Sequence, residues 1–279
     1  MLLAIDLGNT NITVAAFNGK VLRATWRMRT DAAKAEDEYR LLMNSFLVDA
    51  NIAPSEIDGV ILSSVVPPLD GTFQNISRTA FGVEPLVIDF NLMTMMKILV
   101  DHPDEVGADR LVNTYAAHKL YSGPLIVIDF GTATTFDIVS SKGAYMGGAI
   151  CGGIQIVRDA LYEYTAKLPR VEILPPKNVI GKNTVESIRS GVFYGHVALV
   201  EGMVSRFKKQ LGAKTKVVAT GGLVDLIRKE TKVIDIVNPL LTLQGLRELF
   251  DLLQKPSQKS RKAARSIPTV FMSPEEGRG

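Results

Sequence analysis

The sequence predicts an α/β protein in which a mixed sheet flanked by helices is built twice, and three observations point there. A short apolar strand running into an acidic, glycine-containing, hydroxyl-rich turn occurs at Leu3-Ala4-Ile5-Asp6-Leu7-Gly8-Asn9-Thr10-Asn11 and again at Ile126-Val127-Ile128-Asp129-Phe130-Gly131-Thr132-Ala133-Thr134. With Asp6 laid on Asp129, Asn11 to Phe17 and Thr134 to Ser140 both read as a returning strand, closed by the turns Asn18-Gly19 and Ser141-Lys142-Gly143. Strand and helix periodicities then alternate through each half, the pattern of layered α/β folds. The length of 279 residues suits two medium domains. They are expected at 1–115 and 116–254, followed by a basic, disordered tail at 255–279.

In chain order, Leu2 to Ile5, Ile12 to Phe17 and Val21 to Met28 read as strands, with Asn18-Gly19 a hairpin turn. Asp31 is expected to cap a helix bearing Tyr39, Leu42, Phe46 and Leu47 on one face. A buried strand at Gly59 to Val66 ends in Pro67-Pro68. A helix near Gly71 to Ala80 and a strand at Pro85 to Ile88 complete a βββαβαβ half. A connecting helix at Arg110 to Leu120 leads to strands at Leu125 to Asp129, Thr134 to Val139 and Ala144 to Ile150. A helix from about Gly153 to Lys167 follows, then a loop marked by Pro169 and Pro175-Pro176. Thr184 to Leu211 carries Val185, Ile188, Val192, Val197, Val200 and Val204 on a stripe too apolar for solvent, part of which is expected to meet a partner chain. Lys216 to Thr220 is a strand, Leu223 to Lys229 a helix, Lys232 to Val237 the last strand and Leu241 to Leu253 the last helix.

Composition narrows the function classes. Apolar residues make up 46% and charged residues 22%, the balance of a soluble globular chain without membrane segments, since its apolar runs are strand-sized. Met1 to Asp6 lacks the basic start of a signal peptide, and a single cysteine, Cys151, excludes an internal disulfide, so the cytoplasm is the expected compartment. Cys151 is expected as a small buried filler. The net charge of +3 comes from the segment that starts at Lys255; the remainder is near −1, which argues against a nucleic-acid surface. His102, His118 and His196 are scattered and suggest no metal cluster.

Asp-x-Gly followed by small residues at a strand end suits a phosphate and cation site: glycine lets the backbone approach an anion while the carboxylate holds a cation. Alone, such a turn is as readily a tight hairpin whose carboxylate satisfies backbone donors. Two copies in matching context favour a nucleotide cleft, because a turn needs no partner and a cleft does.

Asp6-Leu7-Gly8-Asn9-Thr10, Asp129-Phe130-Gly131-Thr132-Ala133 and Ala219-Thr220-Gly221-Gly222-Leu223 resemble the phosphate and adenosine motifs of the acetate and sugar kinase, Hsp70 and actin superfamily. More narrowly, Pro103 to Arg110, which ends in Gly107-Ala108-Asp109-Arg110, looks like the signature of type III pantothenate kinases. Ser63 to Pro68, Gly147 to Gly153 and Ile180 to Thr184 resemble further blocks of that family. The resemblance implies two duplicated ribonuclease-H-like (actin-like ATPase) domains with mixed five-stranded sheets, closing on ATP and phosphorylating the 4'-hydroxyl of pantothenate. It implies ATP-binding residues Asp6, Leu7, Gly8, Asn9, Thr10, Asn11, Ile12, Thr13 and Thr132, with Asp6 acting through Mg²⁺ and water. It implies Asp109 as proton acceptor, pantothenate contacts from Gly107, Ala108, Asp109 and Arg110, and Asp129 as ligand of K⁺ or NH₄⁺. Thr184 is implied to reach pantothenate from the second subunit of a homodimer.

The chemistry asks for the same residue types. An alcohol attacks a phosphoryl group better when a carboxylate takes its proton, and the planar fork of Arg110 matches a substrate carboxylate. One position departs from the pattern: Val100 stands in the substrate pocket where the family often has tyrosine. At this stage a non-catalytic nucleotide-binding regulator and a kinase of another small alcohol also remain open.

Overall fold

The computed structural model describes residues 1–254; the predicted basic tail lies outside the described residues. Two five-stranded sheets with the same strand order form the framework. In the first half β1 (Leu2–Leu7), β2 (Asn11–Asn18) and β3 (Val21–Arg29) form an antiparallel meander. After α1 (Glu36–Asp49), β4 (Gly59–Ser64) pairs parallel to β1, and after α2 (Pro67–Phe81) the short β5 (Leu86–Val87) pairs parallel to β4. The spatial order is β3-β2-β1-β4-β5.

Helix α3 (Ala108–Tyr121) leads into the second half, where β6 (Leu125–Phe130), β7 (Ala133–Val139) and β8 (Tyr145–Gly152) repeat the meander. The chain continues through α4 (Ile154–Glu163), the long α5 (Thr184–Leu211), β9 (Lys216–Thr220), α6 (Val224–Ile227), β10 (Ile236–Val237) and α7 (Leu241–Leu253). The second sheet runs β8-β7-β6-β9-β10, so the predicted duplication is realised strand for strand.

Several local expectations are corrected. Asp31 does not cap α1; its side chain turns back on Ala33 N, and the helix starts five residues later, where Glu38 accepts from Ala35 N at 2.8 Å. Helix α2 begins at Pro67 rather than near Gly71, because proline fits the first helical turn, where no amide hydrogen is needed. Helix α4 stops at Glu163, short of the expected Lys167. Cys151 is half-buried on β8 rather than sealed in the core.

The faces of the first sheet are divided by the strand period of two. Leu3, Ile5, Leu7, Ile12 and Val14 meet Tyr39, Met43, Leu69 and Phe73 from α1 and α2 in a closed apolar layer, where each large buried side chain contributes about 1.5–3 kcal/mol. The opposite face, with Ala4, Ala15 and Ile61, receives Leu111 and Val112 of α3 and Leu243, Leu246 and Leu249 of α7. Thus the last helix of the chain returns to the first sheet, while α3 packs against strands of both. In the second half Ile188, Val192, Val197, Val200 and Val204 of α5 are buried against Ile126, Phe136 and Val217. The apolar stripe of α5 from Ile188 to Val204 is therefore used by its own domain, while Val185 at the start of the helix is exposed.

Candidate active site

The two glycine hairpins meet across a cleft. Their tips touch, Thr10 Oγ1 lying 2.6 Å from Thr132 Oγ1 in a hydrogen bond that spans the halves. Between them opens a cavity of about 520 Å³ whose lining includes Asp6, Asp109 and Asp129. Gly8, Asn9, Thr10, Asn11, Thr13 and Thr132, which the resemblance singles out, also line it. Leu7 and Ile12 do not: they are paired neighbours on β1 and β2 whose fully buried side chains point into the apolar layer, so only their backbones could face the cleft.

Pleating places the acidic residues. Ser63, Asp6 and Thr13 stand side by side on β4, β1 and β2, and Thr220, Asp129 and Thr135 repeat that rank on β9, β6 and β7. Asp109 arrives separately, on the first turn of α3, where its Oδ1 accepts from Arg110 N at 2.8 Å. The sequence overlay missed one feature of this arrangement. The second hairpin loop is one residue shorter, so Thr13 corresponds to Thr135 and not to Phe136.

Three carboxylates share this floor with little to neutralise them. Burial, reinforced by the charges of Asp109 and Asp129, pushes Asp6 up from 3.8 to about 8. Burial and the charge of Asp109 push Asp129 up to about 7 against the pull of Asn113. Burial raises Asp109 too, opposed by the Arg110 backbone amide and the Arg110 charge. Asn113 Nδ2 donates to Asp129 Oδ2 at 3.0 Å while its own Oδ1 accepts from Thr242 at 2.7 Å, so α3 and α7 together orient the carboxylate. Asp129 Oδ1 lies in a backbone cradle, since a methyl group on Gly221 would come within 2.5 Å of it. Ser63 Oγ, fully buried next to β1, has no hydrogen-bond partner among the described residues.

These features fit bound cations. Among the described residues no three acidic, histidine or cysteine side chains form a cage for a metal. Clustered carboxylates of this kind suit a cation that takes its remaining ligands from water or from a bound anion.

The pantothenate candidates lie around the start of α3. Gly107 precedes the helix as its N-cap and Ala108 is buried beneath it. Arg110 points at Asp137 on β7, with Nη2 at 2.7 Å and Nε at 2.8 Å from Oδ1, and its guanidinium lies 5.8 Å from the centre of the Tyr145 ring. Part of the fork predicted for a substrate carboxylate is thus spent inside the protein. Val100 is half-buried beside the start of β8, where a methyl group on Gly147 would meet it at 3.4 Å; it does not line the cavity. Thr184 is exposed at the first turn of α5 and also lies outside the lining; Asn183 caps that helix, accepting from Glu186 N at 2.9 Å. Sequence reasoning missed Asp137, Tyr145, Asn113 and Thr242. None stands in a recognisable motif, and only the folded chain brings them to Arg110 and Asp129.

Comparison with known proteins agrees with this geometry. A sequence model of the type III pantothenate kinase family matches residues 2–206. The chain is 48% identical over 252 residues to a type III pantothenate kinase of Roseiflexus sp. (strain RS-1), covering 90% of this chain and 99% of that protein. It is 50% identical over 251 residues to one from Anaeromyxobacter sp. (strain Fw109-5), with coverage of 90% and 99%. Among solved structures, the activator of 2-hydroxyisocaproyl-CoA dehydratase from Clostridium difficile, determined with bound ADPNP, superposes with a TM-score of 0.51 at 12% identity, covering 97% of this chain and 99% of that one.

Proposed function

The chain belongs to the type III pantothenate kinase family, and from that premise and the geometry of the cleft we infer that it transfers the terminal phosphoryl group of ATP to the 4'-hydroxyl of pantothenate. This is the first step of coenzyme A biosynthesis. The observation that carries the reading is the convergence of Asp6, Asp109 and Asp129 on one cavity between two glycine hairpins.

ATP enters with its phosphates against the backbone and hydroxyls of Gly8 to Thr13 and Thr132, donors that suit an anion. Asp109 accepts the proton of the attacking hydroxyl; its raised affinity for protons brings it nearer to the working pH than an ordinary carboxylate. Gly107, Ala108 and Arg110 hold pantothenate, Arg110 with the part of its fork that Asp137 leaves. Asp6 would hold Mg²⁺ through water and Asp129 would hold K⁺ or NH₄⁺; when bound, these ions neutralise charge that accumulates on the phosphates. Positioning and charge compensation supply most of the acceleration, so no single side chain accounts for it.

A homodimer is supported by exposed apolar side chains on β8, α4 and the stretch before α5: Met146, Ile150, Ile156, Val179 and Ile180 are 45%, 62%, 46%, 65% and 80% exposed. Thr184 lies beside that surface in sequence, which suits a contribution to the partner's site. No helix among the described residues is long and apolar enough to cross a membrane, and we place the enzyme in the cytoplasm.

A coupled assay with ATP, pantothenate, Mg²⁺ and K⁺ tests the activity. Turnover well above an Asp109→Asn control is expected; turnover equal to that control would reject the reading.

The crowded carboxylates also give stability a pH dependence. Because Asp6 and Asp129 titrate at about 8 and about 7 in the fold, against 3.8 as their ordinary value, the folded chain keeps protons that the unfolded chain has lost between about pH 4 and 8. Stability from these groups therefore falls as pH rises through that window. In buffer free of Mg²⁺, K⁺ and NH₄⁺, Asp129→Asn is expected to stabilise the protein at about pH 8 by roughly 1–2 kcal/mol, with little effect near pH 5. Potassium should raise the wild-type Tm more at the higher pH. Thermal melts across that range check both; a variant no more stable than wild type at pH 8 would contradict the charge argument.

A further inference from the structure

The rank of residues through Asp6 does not end at Thr13. Thr13 pairs with Arg27 on β3, so Ser63, Asp6, Thr13 and Arg27 stand abreast across four neighbouring strands. Directly opposed residues project from the same face of a sheet, and Arg27 accordingly shares the cavity with Asp6. Its side chain extends far over the cleft. A methyl group built on Gly222, which belongs to the other half, would lie 3.7 Å from Arg27 Nη1.

Charge makes this position unusual. Asp6, Asp109, Asp129 and Asp225 line the cavity, and Arg27 is the one lysine or arginine among the described residues that do. It is exposed and enters no ion pair among the described residues. The duplication does not repeat it, since Thr135, the counterpart of Thr13, pairs with Ile150, which is 62% exposed. A polyphosphate entering above four carboxylates needs fixed positive charge, and backbone amides supply only partial charges. Guanidinium is the group whose planar fork matches phosphate oxygens.

We propose that Arg27 is a nucleotide-binding residue that donates from its guanidinium to a phosphate oxygen of ATP, reaching across the cleft towards the Gly221-Gly222 turn. The proposal rests on the ATP reading of the cavity and adds the residue that supplies its cationic contact. The base and sugar of the nucleotide do not need this side chain; the phosphates do.

The test is calorimetric titration of the full-length wild type, Arg27→Gln, Arg27→Lys and Arg23→Gln with ATP, ADP and adenosine at fixed Mg²⁺ and K⁺. Arg23 is an exposed residue of the same strand outside the cavity and controls for the loss of one charge. Arg27→Gln is expected to weaken ATP and ADP by about 10- to 100-fold, the range for hydrogen bonds to charged groups. Adenosine should stay within about 2-fold, Arg27→Lys should fall between Gln and wild type, and Arg23→Gln should match wild type. In steady-state kinetics the KM for ATP should rise while that for pantothenate holds. Wild type that binds no ATP would remove the nucleotide reading itself. Wild type that binds, with Arg27→Gln binding equally well, overturns the role of Arg27 alone. A parallel loss for adenosine also overturns it, in favour of a contact with base or sugar. Should Arg27→Gln melt early, the lysine variant decides: recovery of part of the ATP affinity supports a charge contact, and failure to recover any refutes it.

Discussion

Asp109→Asn is expected to lower kcat by about 10²- to 10⁴-fold while the KM values for ATP and pantothenate move by no more than a few-fold. The substitution keeps shape and the hydrogen bond from Arg110 N, since the amide oxygen can replace Oδ1 as acceptor. What it removes is the ability to take a proton. A binding role would instead appear as a raised KM with kcat nearly intact, so the two readings separate cleanly. The fold should not suffer. Burial already opposes the charge of Asp109, and that charge raises Asp6 and Asp129. Removing it should leave the Tm unchanged or slightly higher above neutral pH. A kcat within about 3-fold of wild type would show that water or phosphate accepts the proton and that Asp109 has another role.

How much of this was legible before folding depends on the range of the interaction that fixes each feature. The duplicated strand, acid and turn are local, and Asp6 and Asp129 occupy equivalent places on β1 and β6 as their motifs imply. Helix α7 was read with its bounds, Leu241–Leu253, because its apolar period is long and uninterrupted. Its return to the first sheet was not legible, because that contact joins residues far apart in the chain, such as Gly59 and Phe250. Register failed in a different way. An ungapped overlay keeps counting through the second hairpin, whereas the shorter loop there shifts every partner by one, and only pairing reveals it.

The same limit explains the site residues that escaped notice. Arg27 lies in a strand whose alternation reads as solvent-facing, and on sequence alone an exposed arginine on an edge strand calls for no explanation. Its meaning comes from standing in line with Asp6. Arg110 stands in the Gly-Ala-Asp-Arg block, but its partner Asp137 lies on β7, 27 residues away. An arginine 16% exposed beside a carboxylate 2% exposed is a demanding pair to bury. It needs Tyr145 and Thr135, which also donate to Asp137 at 3.0 Å each, to satisfy the remaining oxygen sites.

Gly221→Ala is expected to destabilise the protein by about 3–5 kcal/mol and to cut kcat/KM by at least about 10²-fold. Two causes act together. Gly221 has a φ of +97°, where a side chain strains the backbone. The new methyl group would also meet Phe130 N at 2.6 Å and Phe130 C at 2.7 Å, backbone atoms that cannot turn away, as well as Asp129 Oδ1 at 2.5 Å. Relief requires β9 to separate from β6 just where Asp129 pairs with Thr220, so the strain is discharged into the surroundings of the Asp129 carboxylate. Potassium dependence should therefore weaken along with stability, which a defect in overall packing would not produce. Replacing Gly71, an α2 glycine with open space around the same methyl position, with alanine serves as the contrast. There the change should be neutral or stabilising by about 1 kcal/mol. Thermal melts and potassium titrations of activity on both variants check the pair. If Gly221→Ala melted and responded to potassium like wild type, close apposition of that turn to Asp129 would not matter for the site.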